Sequence, residues 1–143
     1  MAKYNYLPND VIGTLYFANL DTHDRNGKYS FELGNLSNAA IDMLKQAGAN
    51  VKSVDDDQYG RGEYVGVTSA YPYPIELDEG IELEEGKKIG NGTKAQVTFA
   101  TYHHGRSHNN GIGLTALGKL LIKDLVIYDP EESGEDRPRR EAV

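Results

Sequence analysis

The chain has no cysteine and no tryptophan among its 143 residues. Without cysteine it can form neither a disulfide nor a thiolate metal site, which fits a reducing compartment. No stretch approaches the roughly 20 apolar residues that a membrane-spanning helix needs. The first residues also lack an apolar run of signal-peptide length. These absences predict a soluble, cytoplasmic protein.

Positive charge is scarce in the chain as a whole and concentrated in one segment. The formal net charge is −7, yet residues 87–128 hold six Lys/Arg residues and a single acid, Asp124. Residues 1–86 carry fifteen acids against six basic residues, and residues 129–143 carry six acids against three. A basic segment inside an acidic chain is typical of a protein that binds a polyanion.

Sixteen glycines and ten tyrosines favour a β-rich fold with many turns. One helix is predicted at residues 37–47, with Ser37 as its N-cap and Gly48 closing it. Residues 55–62 are interpreted as a mobile loop, and the acidic run 76–86 as a solvated hairpin or loop rather than a site. The strand-like runs are residues 14–20, 28–33, 63–71, 95–102 and 117–128.

This order of elements predicts a mostly β fold, a five- to six-stranded Greek-key barrel of the OB type with one inserted helix. Residues 1–128 are expected to form one nucleic-acid-binding domain. Residues 129–143 are rich in charge and contain no aromatic residue. They are therefore expected to form a flexible, disordered acidic C-terminal tail.

The sequence offers little for catalysis, since it has no cysteine nucleophile, no Gly-x-Ser-x-Gly elbow and no phosphate-binding loop ending in Lys-Ser/Thr. His103, His104 and His108 are candidate metal ligands, but adjacent histidines of an extended chain point to opposite sides. Residues 55–57, three aspartates, lack the ligand spacing of a calcium loop. Residues 90–93 precede a strand rather than a helix and are interpreted as a plain turn. We therefore expect no enzymatic activity, no metal and no cofactor.

Proteins that bind single strands without sequence preference combine a basic groove with aromatic faces on which bases stack. Lys119 and Lys123 share one face of the last predicted strand. Lys94 lies at the start of the preceding strand, and Tyr102 and Arg106 lie at its exit. These residues together predict one groove for single-stranded DNA, with the cationic side chains on phosphates. Tyr102, and also Tyr71 or Tyr73, would stack under bases.

Four segments follow one another in an order and spacing that resembles the single-stranded-DNA-binding proteins of short-tailed (podovirus-type) phages. They are residues 27–33 (GKYSFEL), 86–93 (GKKIGNGT), 99–102 (FATY) and 117–128 (LGKLLIKDLVIY). The resemblance implies an OB barrel with a helix inserted after the early strands. It also implies a protein that coats single-stranded DNA during phage DNA replication and recombination in the host cell cytoplasm.

The same resemblance implies site residues and partners. Tyr102 and His104 occupy the loop positions that stack bases, with His104 in place of a larger aromatic residue. Arg25 lies one position from a family arginine in the turn before the second strand. The acidic tail implies contacts with the phage DNA polymerase and helicase–primase, competition with DNA for the groove, and a homodimer formed by tail exchange. Here the tail departs from the family pattern, because it ends in Glu141-Ala142-Val143 rather than in an aromatic residue.

Two other functions remain open at this point. One is a β-rich phage virion or adaptor protein with no affinity for DNA. The other is a metal-dependent nucleic-acid enzyme that uses the histidine cluster, which would need carboxylates facing His103 or His108.

Overall fold

The computed structural model describes residues 4–20, 27–84, 87–107 and 111–128. In chain order its elements are β1 (Asn5–Tyr6), β2 (Val11–Asn19), β3 (Tyr29–Gly34), α1 (Asn38–Gln46), β4 (Val65–Ser69), β5 (Ile75–Leu77), β6 (Lys88–Ile89), β7 (Lys94–His103), β8 (Ile112–Asp124) and β9 (Ile127–Tyr128). The predicted class, mostly β with one inserted helix, is confirmed.

Seven of the strands form a single curled sheet in the order β4-β3-β2-β7-β8-β5, with β1 beside β7. Strands β2, β3 and β4 are antiparallel neighbours, and β7 returns to pair with the free side of β2. Strand β5 runs parallel to β8, and β6 pairs with β9 in a separate two-stranded ribbon. The return of β7 beside β2 gives the Greek-key order of an OB-type barrel.

The core lies on one side of this sheet. In β7 the alternate residues Ala95, Val97 and Phe99 are buried, as expected of a strand with one face on the core. Phe31 of β3 and Leu44 of α1 are buried in the same cluster. Each large apolar side chain buried in this way contributes about 1.5–3 kcal/mol, so the inward faces fix the register of the strands.

The helix begins and ends where the sequence predicts. The Ser37 hydroxyl accepts a hydrogen bond from the backbone N–H of Ala40 at 3.1 Å. Gly48 follows the helix with a φ of +89°, a conformation that glycine adopts without strain. Among the described residues no helix is long and apolar enough to cross a membrane.

Two features of the sheet differ from the prediction. Strand β8 begins at Ile112, five residues before the predicted start at 117. Glycines within 111–118 weaken the strand pattern there, and pairing with β7 overrides that weak local preference. The sequence does not predict strands β1, β5 and β6, because each is too short to show a periodic pattern. The predicted tail, residues 129–143, lies outside the described residues.

Candidate functional site

A groove crosses the outer faces of β3 and β4 and ends at the loop that follows β7. It consists of two adjoining hollows of about 380 and 290 Å³, which share Lys52, Gly66, Thr68 and Leu114. The lining of this β3–β4 groove includes Phe17, Ser30, Glu32, Lys52, Gly66, Thr68, Tyr102, His104, Arg106, Gly113 and Leu114.

The floor of the groove is flat because β4 alternates. Val65 and Val67 point into the core, whereas Gly66 and Thr68 face outward and are exposed. A glycine and a short threonine leave the backbone of the strand open to a ligand. Lys52 is held beside the floor by two backbone hydrogen bonds with Tyr64, at 2.8 and 2.9 Å.

Phe17 forms an aromatic wall at one end of the groove. Phe17 is 40% exposed although it belongs to β2, because the pairing of β2 with β3 is irregular between Tyr16 and Asn19. The φ of Phe17 is +52°, which a bulky residue rarely adopts. Such strain persists only where the surroundings enforce it, and here its result is an aromatic ring turned to solvent.

The turn at residues 90–93 helps to enforce that conformation. The Asn91 side-chain oxygen accepts a hydrogen bond from the Phe17 backbone N–H at 2.7 Å. The buried Thr93 hydroxyl donates to the Val126 carbonyl at 3.0 Å and accepts from its N–H at 2.9 Å. The segment is a turn, as predicted, and it ties the bulge of β2 to Val126, between β8 and β9.

Tyr59, in the loop before β4, packs against Phe17 without lining either hollow. Its ring is 42% exposed and meets Phe17 edge-to-face, with 4.8 Å between ring centroids. The Arg61 guanidinium lies among the aromatic rings, 5.7 Å from the Phe17 centroid and 5.5 Å from that of Tyr59. It also stacks 4.2 Å from the Tyr64 ring. These cation–π contacts fix the pair of exposed rings in one orientation.

Two carboxylates hold Arg61 in place. Its Nη1 donates to Glu32 Oε1 at 2.6 Å, and its Nε donates to Asp57 Oδ2 at 2.8 Å. Asp57 also accepts from the backbone N–H groups of Tyr59 and Arg61, at 3.0 and 3.1 Å. The hydrogen bond from Arg61 lowers the pKa of Asp57 to about 2. The hydrogen bonds to Asp57 and Glu32 raise the pKa of Arg61.

The loop at 55–62 is therefore held by specific contacts, whereas the sequence predicts a mobile loop. Arg61 is buried, and the side chain of Asp57 is almost fully covered. The reason is an ion pair between residues four apart, which folds the loop over β3 and orients Tyr59. That corrects the prediction for this segment.

The other end of the groove is formed by the end of β7 and the loop that follows it. The Tyr102 ring lies over Gly113 in the neighbouring strand, where an added side-chain carbon would come within 2.7 Å of its Cε1. The ring of His104 is edge-on to Tyr102 at 6.2 Å between centroids. His104 Nδ1 accepts from the Arg106 backbone N–H at 3.0 Å, and the exposed Arg106 lines the same hollow.

The structure thus brings together three of the predicted site residues, Tyr102, His104 and Arg106. It does not bring Lys94, Lys119 and Lys123 to them, and the prediction of one shared groove is wrong for these lysines. Lys94 lies eight residues before Tyr102 in β7, a separation of about 27 Å along a strand. Lys123 pairs with Asp78 at 3.2 Å on the far half of β8. Lys119 is exposed on the same face of β8 and does not line the groove.

The two predicted stacking residues of the segment 71–74 differ from each other. Tyr73 is buried in the core and meets Phe31 edge-to-face at 5.0 Å. Burial raises the pKa of its hydroxyl to about 12. Because no base can reach this ring, its predicted role is wrong. Tyr71 is exposed beyond the end of β4 but does not line the groove.

Two predicted residues, Arg25 and His108, lie outside the described residues. Across the part of the chain that is described, no group of three or more His, Cys, Asp or Glu side chains is placed to hold a metal ion.

One solved structure has the same fold across most of the chain. The single-stranded DNA-binding protein from bacteriophage Enc34, solved as a C-terminal truncation, matches with a TM-score of 0.54 and 15% identity. The match covers 81% of this chain and 83% of that chain. The two chains therefore share a fold. No protein-family model and no curated protein matches the sequence. The resemblance predicted from the four segments is confirmed at the level of the fold.

Proposed function

We propose that the protein binds single-stranded DNA without sequence preference, in the β3–β4 groove. The observation that carries this proposal is the groove itself, with the exposed ring of Phe17 at one end and the half-buried rings of Tyr102 and His104 at the other. Every base has a flat face that can stack on an aromatic ring, so such a site accepts any sequence. The fold shared with the Enc34 protein supports the same ligand.

The groove has few charged residues, which favours a mode of binding in which a single strand is held mainly by the stacking of its bases. Among the described residues its charged lining consists of Lys52, Arg106 and Glu32. Since Glu32 is paired with Arg61, two cations remain to face phosphates. The rest of the acidic chain opposes nonspecific association with nucleic acid.

The proposed setting is phage DNA replication and recombination in the host cell, and the proposed role is coating rather than catalysis. The bacteriophage origin of the structural match supports this setting. The proposed contacts of the acidic tail with polymerase and helicase–primase, and the proposed homodimer, rest on the sequence, since residues 129–143 lie outside the described part.

The test is binding of fluorescent oligo-dT against salt concentration. Each phosphate neutralised on a single strand contributes a slope of about −0.7 in log K against log salt, so two contacts give about −1.4. A mixed-sequence strand should bind like oligo-dT, and a duplex should bind more weakly. No binding at about 50 mM salt would sink the proposal and favour the virion or adaptor alternative. Chelator-sensitive cleavage of the oligonucleotide would favour the enzyme.

Lys52→Ala is expected to reduce that salt slope by about 0.7, because one phosphate contact is lost from the groove. The matched control is Lys123→Ala, which removes a lysine that lies outside the groove and is paired with Asp78. The control should leave the slope unchanged. Equal slopes for the two variants would exclude Lys52 as a phosphate contact.

Gly113→Ala is expected to weaken DNA binding without deleting any contacting side chain. The added methyl group would collide with the Tyr102 ring, which can swing away because it is the far end of a flexible side chain. The double variant Gly113→Ala/Tyr102→Ala should then bind no more weakly than Tyr102→Ala alone. Fully additive losses would show that Gly113 acts in some other way. Circular dichroism and thermal unfolding would check that the fold is intact.

A further inference from the structure

Two exposed tyrosines, Tyr4 and Tyr6, lie beside the groove. Tyr4 is 46% exposed and Tyr6 is 66% exposed. Strand β1 pairs with β7 in the register Asn5 to Thr101 and Tyr6 to Ala100. Since directly paired residues share a face and side chains alternate, Tyr4 and Tyr6 project on the same face as Tyr102.

The rings form a row that is continuous with the groove. Tyr4 meets Tyr102 edge-to-face, with 6.0 Å between centroids and 71° between the ring planes. On its other side Tyr102 meets His104, and both of these line the groove. Single exposed aromatic residues are ordinary on a protein surface. Adjoining exposed rings next to a ligand groove instead indicate a binding surface.

We infer that Tyr4 and Tyr6 form a second stacking site for single-stranded DNA, onto which the strand continues after it leaves the groove across Tyr102. This inference rests on the proposed function. The ligand is a short run of unpaired bases of any identity, because the tyrosine faces select for flat rings and not for a hydrogen-bonding pattern.

A carboxylate limits the length of this second site. Asp10 accepts hydrogen bonds from the Gln96 amide at 3.0 Å and from the Thr98 hydroxyl at 2.9 Å. Thr98 is two residues from Ala100 in β7, so Asp10 lies on the same face just beyond Tyr6. Its negative charge opposes a phosphate there, and the path of the DNA should therefore end at Tyr6.

The experiment measures the affinity of the full chain for oligo-dT of increasing length, from about 4 to 16 nucleotides. The variants are Tyr6→Ala, which leaves the contact between Tyr4 and Tyr102 in place, and the double variant Tyr4→Ala/Tyr6→Ala. We expect both variants to bind the shortest oligonucleotides as the wild type does. On longer ones the double variant should lose about tenfold or more, and its affinity should stop rising at a shorter length.

Two controls separate ring stacking from other effects. Tyr6→Phe keeps the ring and should follow the wild-type curve, whereas loss of affinity there would point to the hydroxyl group. Tyr71→Ala removes an exposed tyrosine outside both sites and should also follow it.

The outcomes distinguish this inference from the proposed function. Identical curves for the wild type and the double variant would overturn the second site and leave the groove intact. Equal losses at every length, including the shortest, would show that the tyrosines act only through Tyr102, and would also overturn it. Absence of binding by the wild type at all lengths would instead overturn the proposed function itself.

Discussion

Tyr102→Ala is expected to weaken oligo-dT binding by about 5- to 140-fold at low salt. Stacking on an aromatic side chain contributes about 1–3 kcal/mol per base, and 1.4 kcal/mol corresponds to a factor of ten in affinity. Tyr102 has the position for this, because it lines the groove and its ring rests on Gly113, which has no side chain to obstruct it. The measurement is fluorescence anisotropy with a labelled oligonucleotide.

The controls for this prediction are Tyr102→Phe and Tyr71→Ala. The phenylalanine keeps the stacking face and should retain most of the affinity. Tyr71 lies outside the groove, and its removal should have little effect. A loss smaller than about twofold for Tyr102→Ala would remove the stacking role from this residue, since it falls below the range for one base.

The features that the sequence predicts well are those set by neighbours along the chain. Helix α1 depends on Ser37, on the apolar spacing within one turn, and on Gly48, all within about a dozen residues. The end of the groove at Tyr102, His104 and Arg106 is also local, because it belongs to one strand and the loop after it. Such features need no knowledge of how the sheet closes.

The other end of the groove depends on contacts between distant parts of the chain. Phe17 turns outward with its N–H bonded to Asn91, which is 74 positions away. Arg61 is held by Glu32, which is 29 positions away. No spacing or propensity within residues 14–20 or 55–62 predicts these contacts, so Phe17 and Tyr59 were missed.

The distribution of charged residues along the sequence also predicts only part of the site. The basic segment 87–128 does contribute Arg106, but Lys94, Lys119 and Lys123 lie on the far half of the β7–β8 pair and Lys88 lies in β6. A 13-residue strand such as β8 is about 43 Å long, so two residues of one strand need not share a site. The missed cation is Lys52, which comes from the acidic half of the chain and reaches the groove through its pairing with Tyr64.

Arg61→Met is expected to lower both the stability of the protein and its affinity for oligo-dT. The substitution keeps an unbranched side chain of similar length but leaves Asp57 and Glu32 without their cation. It also removes the cation that orients Phe17 and Tyr59, so the aromatic wall should loosen and affinity should fall about fivefold or more.

The control is Lys45→Met, which removes an exposed ion pair to Glu63 at 3.4 Å. Exposed pairs contribute less than about 1 kcal/mol, so the control should lower the melting temperature much less and leave DNA binding unchanged.

The pH dependence of unfolding gives this prediction a second, independent readout. The pKa of Asp57 is lowered from 3.8 to about 2 in the folded protein, mainly by the hydrogen bond from Arg61. A lowered carboxyl pKa contributes stability that is fully present above about pH 4 and is lost as the pH falls towards 2. Without Arg61 this contribution largely disappears, so the free energy of unfolding of Arg61→Met should fall less steeply over that range than that of the wild type. Urea unfolding from pH 2 to 5 measures the difference. Parallel profiles for the two proteins would show that the ion pair with Asp57 does not stabilise the fold, and that Arg61 orients the aromatic wall by its contacts with the rings alone.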